Sequence, residues 1–236
     1  MPNPISLRYS CCALLCSLAV VATAAPAEEQ ENQSEIEQIT EQAKAGDPAY
    51  QFRLGAAYEL GLGVPKNTKL AIHWYLTAAE QGYALAQYSL GQIYINARGV
   101  PRDFAEAARW HRKAAEQGNA AAQIAIGRQY AYGWGVRHNG KTARNWFITA
   151  AQQKPKQAYE ELATLYERGN VVPKNLVVAY ALHSIVAEGG DELARDAMNG
   201  IEPALDEKAF HAAKQMAARL IENPSFLQTE LEGVVE

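Results

Sequence analysis

The stretch GYALAQYSLGQIYINARGVPRDFAEAARWHRKAAEQ, residues 82–117, decides the fold because its pattern occurs four times in tandem. The other three blocks are residues 46–81, 118–153 and 154–189, and no residue separates one block from the next. A fixed period of this length is typical of proteins built from stacked supersecondary units. The sequence therefore predicts one repeat array over residues 46–189.

Nearly constant columns indicate that each block forms two helices. The first half of each block carries Leu or Ile, then a small residue, then Tyr: Leu54, Gly55 and Tyr58; Leu90, Gly91 and Tyr94; Ile126, Gly127 and Tyr130; Leu162, Ala163 and Tyr166. Residues four apart share one face of a helix. The small residue lets a second helix approach closely, and that second helix carries Trp74, Trp110, Trp146 and Leu182 in a single column.

A polar column separates the two helices and supplies an N-cap for the second one. It consists of Asn67, Asp103, Asn139 and Asn175, whose side chains can accept from free backbone N–H groups. Glu106 follows Asp103 at capping-box spacing. Because one helix pair cannot bury its apolar face alone, the blocks must stack. The predicted fold is an all-α solenoid, and the fourth block, with Val171 in a column of glycines, departs most from the pattern.

The segments that flank the array are predicted to cap it. Residues 28–45 read as a polar leader, 28–33, and a capping helix that begins with the capping box Ser34 and Glu37. Residues 190–223 read as two closing helices, 191–205 and 206–223. The apolar stripe of the second consists of Phe210, Ala213, Ala217 and Leu220. The tail, residues 224–236, is predicted to fray.

Residues 1–27 have the layout of a secretory signal peptide. Arg8 is their only charged residue, an apolar run follows it, and Ala22 and Ala24 fit positions −3 and −1 of a cleavage site. The alternative is an uncleaved anchor, although the run is short for a membrane span. The three cysteines are Cys11, Cys12 and Cys16. We therefore expect a periplasmic or secreted mature protein without a membrane span, thiol or disulfide.

These columns are similar to the Sel1-like repeat, a relative of the tetratricopeptide repeat. The likeness rests on L-G-x-x-Y, G-x-G-V-P-x-[ND], A-x-x-W and A-A-E-Q-G. It implies a right-handed superhelix with a concave groove and a role as an adaptor or scaffold. Exported bacterial members are associated with envelope assembly, with host contact and, in a cysteine-rich subgroup, with penicillin binding or weak β-lactamase activity. A cell-wall-related enzyme or binder is thus the alternative function, although the mature chain lacks the paired cysteines of that subgroup.

One motif points to a different function. Residues 135–142, GVRHNGKT, match the phosphate-binding pattern G-x-x-x-x-G-K-T. That loop needs a buried strand before its first glycine, whereas the residues before Gly135 follow the helical pattern of the array. Gly135 shares a turn column with Gly63 and Gly99, and Asn139 lies in the N-cap column. The repeat therefore predicts that no nucleotide binds at Gly135–Thr142.

Other motifs that would mark chemistry are missing from the sequence. The net charge of −4 offers no basic excess for a nucleic acid, and no S-x-x-K or G-x-S-x-G motif marks a serine nucleophile. The histidines lie apart, without metal-ligand spacing. His111 and His183 share a column with Tyr75 and Phe147, which favours a half-buried, aromatic-like role. We predict a non-enzymatic protein with no catalytic residue, metal or cofactor.

The residues predicted to bind a partner lie on the first helix of each block, opposite the Leu/Gly/Tyr face. In the related tetratricopeptide fold this helix lines the concave side. These positions hold different residues in different blocks, as recognition of a non-repetitive protein ligand requires. The alternative is that they are ordinary polar residues exposed to solvent. They are Tyr88, Gln92 and Asn96 in the second block, Arg128 and Tyr132 in the third, and Thr164, Glu167 and Arg168 in the fourth.

Overall fold

The computed structural model describes residues 27–153 and 155–232, and within them the protein has twelve α-helices and no β-strand. The first helix of each repeat, helix A, is α2 (Pro48–Leu60), α4 (Ala84–Asn96), α6 (Ala120–Tyr132) or α8 (Lys156–Arg168). The second, helix B, is α3 (Thr68–Glu80), α5 (Phe104–Glu116), α7 (Gly140–Ala151) or α9 (Leu176–Glu188). Before the array lies α1 (Ala27–Lys44), and after it lie α10 (Glu192–Ile201), α11 (Glu207–Glu222) and α12 (Leu227–Glu232). The predicted all-α solenoid is confirmed.

The turn between helices A and B is held by the same hydrogen bonds in every repeat. The backbone N–H of the cap residue donates to the carbonyl of the repeated tyrosine: Asn67 to Tyr58, Asp103 to Tyr94, Asn139 to Tyr130 and Asn175 to Tyr166, at 2.8–3.1 Å. The cap side chain accepts from the first turn of helix B, as Asn139 Oδ1 does from the Thr142 N–H at 3.0 Å. The predicted N-caps are therefore confirmed.

The predicted capping box of the second repeat is wrong. The Asp103 side chain caps α5 through the N–H groups of Ala105 and Glu106, both at 2.9 Å. Glu106, however, does not return the bond, because the Asp103 N–H is already donated to Tyr94. The Glu106 carboxylate instead accepts from the Arg109 guanidinium at 2.7–3.2 Å.

Within each of the first three repeats, a glycine on helix A lets an aromatic ring of helix B lie against the backbone. A Cβ on Gly91 would fall 2.2 Å from His111 Cδ2, and one on Gly127 would fall 2.6 Å from Phe147 Cε1. His111 and His183 thus occupy the position of an aromatic ring, as predicted. They are buried rather than half-buried, however, and His111 also contacts Gln129 of the next helix A.

Between repeats, a column of buried glutamines that the sequence analysis did not identify joins each of the first three units to the helix before it. Gln87 Nε2 donates to the Ala79 carbonyl at 3.1 Å, and Gln87 Oε1 accepts from Gln117 Nε2 at 2.7 Å. Gln51 and Gln123 repeat both bonds, with Gln81 and Gln153 as their donors. The amides satisfy one another, so they can be buried at the interface without a large desolvation cost.

The N-terminal cap is one continuous helix, which corrects the predicted leader and capping box. Because α1 already begins at Ala27, residues 28–33 are helical and Ser34 lies inside the helix instead of capping it. Ile36, Ile39 and Ala43 are buried against Leu54 and Ala57 of the first repeat, as expected for a helix that covers the array.

The C-terminal end is longer and better packed than predicted. The closing helices α10 and α11 begin after the caps Asp191 and Asp206, and Ala213, Ala217 and Leu220 are buried as the predicted stripe requires. The frayed tail, in contrast, is wrong for residues 224–232, because α12 packs Leu227 and Leu231 into the core with no exposed area.

The predicted signal peptide lies outside the described residues, apart from Ala27 at the start of α1. In the part of the chain from Ala27 to Glu232 that the structure describes, no helix combines the length and the apolar character needed to cross a membrane.

Candidate protein-binding surface

Four of the eight predicted binding residues meet where helices A of the third and fourth repeats contact each other. The Arg128 side chain of α6 reaches across to Glu161 of α8, with 2.7 Å between Arg128 Nε and Glu161 Oε1. Beside this ion pair, Tyr132, Thr164 and Arg168 line one small cavity. The positions chosen from their variation between blocks thus form a continuous surface between α6 and α8.

The other four predicted residues are separate from this surface. Tyr88 is half-buried, and its ring centroid lies 5.7 Å from that of His111, so it also contributes to packing. Gln92 and Asn96 interact with each other on α4, where Asn96 Nδ2 donates to the Gln92 carbonyl at 2.9 Å. Glu167 faces helix B of its own repeat, with Oε2 3.4 Å from His183 Nε2. Their role in binding stays a prediction.

Two aromatic side chains that the sequence analysis missed extend the surface. Trp134 stacks on Tyr132 with 4.9 Å between ring centroids and on Phe104 with 6.1 Å. Trp134 and Tyr132 keep 42% and 46% of their area exposed. The indication was present in the sequence: Trp74, Trp110 and Trp146 share a core column, whereas Trp134 lies in the turn, where the other blocks have Leu62, Arg98 and Asn170.

The backbone around Trp134 explains why the indole faces outward. Gly133 and Gly135 both have φ of +71°, a left-handed conformation that favours glycine. The Trp134 N–H donates to the Gln129 carbonyl at 3.0 Å, which closes the end of α6. The backbone therefore changes direction before and after Trp134, and the indole ring lies on the outside, above Phe104.

Exposed basic residues also occur in the turns between helices A and B. Three turns carry a cation in the same column, namely Lys66, Arg102 and Lys174, which we call the turn cations. Within residues 27–153 and 155–232, neither they nor Arg168 takes part in an ion pair. Of the nearby carboxylates, Glu161 is paired with Arg128, and Asp103 accepts from backbone N–H groups at the start of α5. Arg102, Arg168 and Lys174 outnumber the unpaired Asp103, so the surface is locally electropositive.

A second, apolar recess lies at the N-terminal end of the array. It has a volume of about 400 Å³ between α1 and α2, and Ile36, Ile39, Phe52 and Leu62 are among its lining residues. Leu62 is exposed and occupies the column of Trp134. The first and third repeats thus present apolar side chains at the same position of the repeat.

Residues 135–142, the phosphate-binding pattern, form an interrepeat contact. They follow helix α6 rather than a strand. A Cβ on Gly135 would lie 1.9 Å from the Phe104 carbonyl oxygen, and one on Gly140 would lie 2.0 Å from that of Val171. Both glycines of the pattern are thus required by packing, and Lys141 and Thr142 occupy the first turn of α7.

The histidines remain separate in the fold. Across the described residues, no three His, Cys, Asp or Glu side chains are arranged so that they could hold a metal ion. His111 hydrogen-bonds Gln129 at 3.0 Å, and burial lowers the pKa of its imidazole.

Comparisons with known proteins agree on the repeat. A family profile described as the Sel1 repeat matches residues 48–83, 84–119, 120–155 and 156–191, four consecutive copies that begin at or beside the first residue of each helix A. A Sel1 repeat protein from Oxalobacter formigenes, of known crystal structure, is 34% identical with a TM-score of 0.68, and the alignment covers 81% of each chain.

Two further solved structures are more distant. A protective antigen of uropathogenic Escherichia coli that displays an SLR fold is 27% identical, with a TM-score of 0.48 over 79% of this chain and 48% of that one. A putative Sel1 repeat protein from Klebsiella pneumoniae is 16% identical, with a TM-score of 0.41 over 71% of this chain and 99% of that one. Curated proteins give no significant match.

Proposed function

Since the chain belongs to the Sel1 repeat family, whose members are generally scaffolds for protein–protein interaction, we propose that it is an exported, non-enzymatic scaffold that binds a protein partner in the cell envelope or outside the cell. The partner lies along the helix A face, where Arg128, Tyr132, Thr164 and Arg168 meet. The observation that carries the proposal is that these four residues form one surface, although their columns differ between repeats while the core columns do not.

The contrast between constant core columns and variable surface columns supports a binding role. The columns that hold the fold together are filled by equivalent residues, such as the caps in all four repeats and the buried glutamines in the first three. The exposed helix A positions are not, since the column of Tyr132 holds Leu60, Asn96 and Arg168 elsewhere. Packing does not dictate those residues, so they are available for recognition.

Export is the part of the proposal that rests on the sequence alone. The support is the layout of residues 1–27, with one positive charge, an apolar run and small residues at the cleavage position. A mature chain without cysteine suits an oxidising compartment, because no free thiol is exposed to mispairing there. Packing between repeats then has to stabilise the exported protein without a disulfide.

The test is capture of a partner by the mature protein from envelope extract of the source bacterium, after mild crosslinking. We expect one or a few proteins to be retained saturably by the wild-type chain. The double variant Arg128→Ala, Tyr132→Ala should retain at least about tenfold less, because it removes an anchor and its neighbour from the centre of the surface.

The matched control is the double variant Leu193→Ala, Arg195→Ala on α10, where both side chains are exposed far along the chain from the surface. It should retain the partner as the wild type does. Equal retention by all three proteins, or the absence of any saturable partner, contradicts the proposal. Circular dichroism melts confirm that each variant is folded.

A further inference from the structure

Building on the proposed function, we infer that the partner is read by an electropositive aromatic strip and that the bound segment is an extended acidic peptide with a proline or aromatic residue. The strip consists of Arg102, Phe104, Trp134, Tyr132 and Arg168, which follow one another across the second, third and fourth repeats. Only Tyr132 and Arg168 of these were expected to bind a partner from the sequence.

The centre of the strip is a rigid apolar platform. The planes of Phe104 and Trp134 are inclined by 24°, and those of Tyr132 and Trp134 by 28°, so the three rings are nearly parallel. Trp134 is held by its stacking on Tyr132 and Phe104, which limits the entropy lost on binding. Because Trp134 already stacks on Tyr132 and Phe104, the exposed edges and outer faces of these rings are available to a proline or aromatic side chain, as in grooves that bind extended proline-containing peptides.

Within the described residues, the two ends of the strip are cations without an ion-pair partner. The Arg102 guanidinium lies 5.7 Å from the Phe104 ring centroid, and Arg168 lines the cavity beside Tyr132. The turn cation Lys174 lies in the turn that follows Arg168, the last residue of α8. Glu161 is paired with Arg128, so Arg102 and Arg168 are available for a ligand, and the complementary charge is a carboxylate.

An extended segment, rather than a folded surface, fits the linear order of the strip. Its groups come from the turns and helix ends of three successive repeats, so they form a row along the solenoid. A peptide strand can place a proline or aromatic side chain on the Trp134 platform while carboxylates on both sides reach Arg102 and Arg168.

The experiment is selection of short random peptides displayed on phage against the mature protein, followed by fluorescence polarisation with the enriched sequences as synthetic peptides. We expect enriched peptides to carry Pro, Trp, Tyr or Phe flanked by Asp or Glu. Replacing the carboxylates with Lys should weaken binding by about tenfold or more, with a smaller difference at high salt.

Variants of the protein locate the site. Trp134→Ala should weaken binding of the selected peptides by about tenfold or more, and the charge reversal Arg168→Glu by about fivefold at low salt. Leu193→Ala and Arg195→Glu on α10 are the matched controls, and both should bind as the wild type does. Peptides without acidic residues, or peptides that bind Trp134→Ala unchanged, overturn the inference.

The outcomes also separate this inference from the proposed function. Peptides or captured partners that depend on Arg128 and Tyr132 but not on Trp134 and Arg168 overturn the strip and leave the scaffold standing. No saturable binder in either experiment overturns both. Concentration-dependent dimerisation in sedimentation velocity that Trp134→Ala abolishes would assign the strip to a second copy of the chain, which also overturns the acidic peptide.

Discussion

Gly140 shows how a single residue adapts one repeat to its neighbour. In the first three repeats the turn glycines Gly63, Gly99 and Gly135 pack against the unit before them. The fourth repeat has Val171 in that column, and Val171 packs against Gly140 of the third repeat. The positions equivalent to Gly140 in the first and second repeats are Thr68 and Phe104. At this contact the glycine therefore belongs to the third repeat instead of the fourth, and the fourth repeat still packs closely.

We predict that Gly140→Ala destabilises the protein by about 1–3 kcal/mol, because the new Cβ is forced against the Val171 carbonyl oxygen. The measurement is urea unfolding followed by circular dichroism. Gly200→Ala is the control, since Gly200 is also helical and has no atom within 4 Å of its added Cβ. It should be neutral or stabilising by up to about 1 kcal/mol. A stable Gly140→Ala protein would show that this contact relaxes freely.

The same packing leads us to predict that Mg-ATP does not stabilise the protein. Gly135 and Gly140 are in contact with Phe104 and Val171, so they cannot also cradle a phosphate. Thermal unfolding with and without saturating Mg-ATP is the measurement, and the expected shift in Tm is zero. A rise in Tm that Lys141→Ala removes would contradict the prediction.

His111 makes stability depend on pH. Burial lowers the pKa of its imidazole, and its Nδ1 lies 3.0 Å from Gln129 Oε1. The unfolded chain therefore takes up a proton at a higher pH than the folded chain does. Stability is complete above the unfolded pKa of about 6.5 and is lost as the pH falls below it, towards the lowered pKa of the folded state.

We predict that Tm falls between about pH 7.5 and pH 5.5, and that the double variant His111→Phe, Gln129→Leu falls less. The new Phe and Leu match Phe147 and Leu165, which occupy the equivalent positions at the next interface between repeats, so the variant should fold. His138→Gln, at an exposed turn position, is the control and should keep the wild-type slope. The same slope in the double variant would assign the pH dependence to other groups.

At the scale of elements, the four repeats could be predicted from the sequence because their causes are local. A cap such as Asn67 and a turn glycine such as Gly99 act within a few residues, and four copies make each column visible. The start of α1 could not, since residues 28–33 are polar and have no copy elsewhere. The buried glutamines were visible as a column, but their bonds depend on tertiary packing. Each joins a carbonyl eight residues earlier, in the preceding helix, and a glutamine 30 residues later, in the same unit.

The candidate surface was predictable in part for the same reason. Arg128, Tyr132, Thr164 and Arg168 lie at helical positions that vary, so spacing alone places them on one face. Trp134 and Phe104 lie in and beside the turn, where the side-chain direction depends on two left-handed glycines and on contact with the preceding repeat. Such a direction follows from tertiary packing and not from helical periodicity.

The last helix, α12, is an element whose role comes only from tertiary contacts. Leu227 and Leu231 are fully buried, and Glu230 accepts from Arg219 of α11 at 3.1 Å. We predict that Leu231→Ala costs about 2–5 kcal/mol, through lost burial and the cavity left behind. Urea unfolding measures it, and Leu193→Ala, at a side chain 80% exposed, should change stability by less than about 0.5 kcal/mol. Equal values for the two variants would mean that α12 is not docked in solution.

For the whole molecule, the repeat architecture explains how a chain without disulfides could remain folded after export. Each of the first three units is joined to the helix before it through a buried glutamine, and the end units are covered by α1 on one side and by α10, α11 and α12 on the other. Stability then grows with the number of stacked interfaces. The exported protein would need no cysteine, and all three cysteines lie within residues 1–27.

Because all three cysteines lie in the predicted signal peptide, counting the thiols of the recovered protein tests whether that segment has been removed. We predict that the full chain, expressed in a bacterial host with an outer membrane, is recovered from the periplasm or medium with the mass expected for cleavage after Ala24 and with no titratable thiol. The variant Ala24→Arg should block processing, because the cleavage site requires a small residue at position −1, and should leave Cys11, Cys12 and Cys16 on a membrane-bound chain. A wild-type protein that stays in the cytoplasm, or that keeps its thiols at the membrane, contradicts the proposed cleavage and favours a retained N-terminal segment.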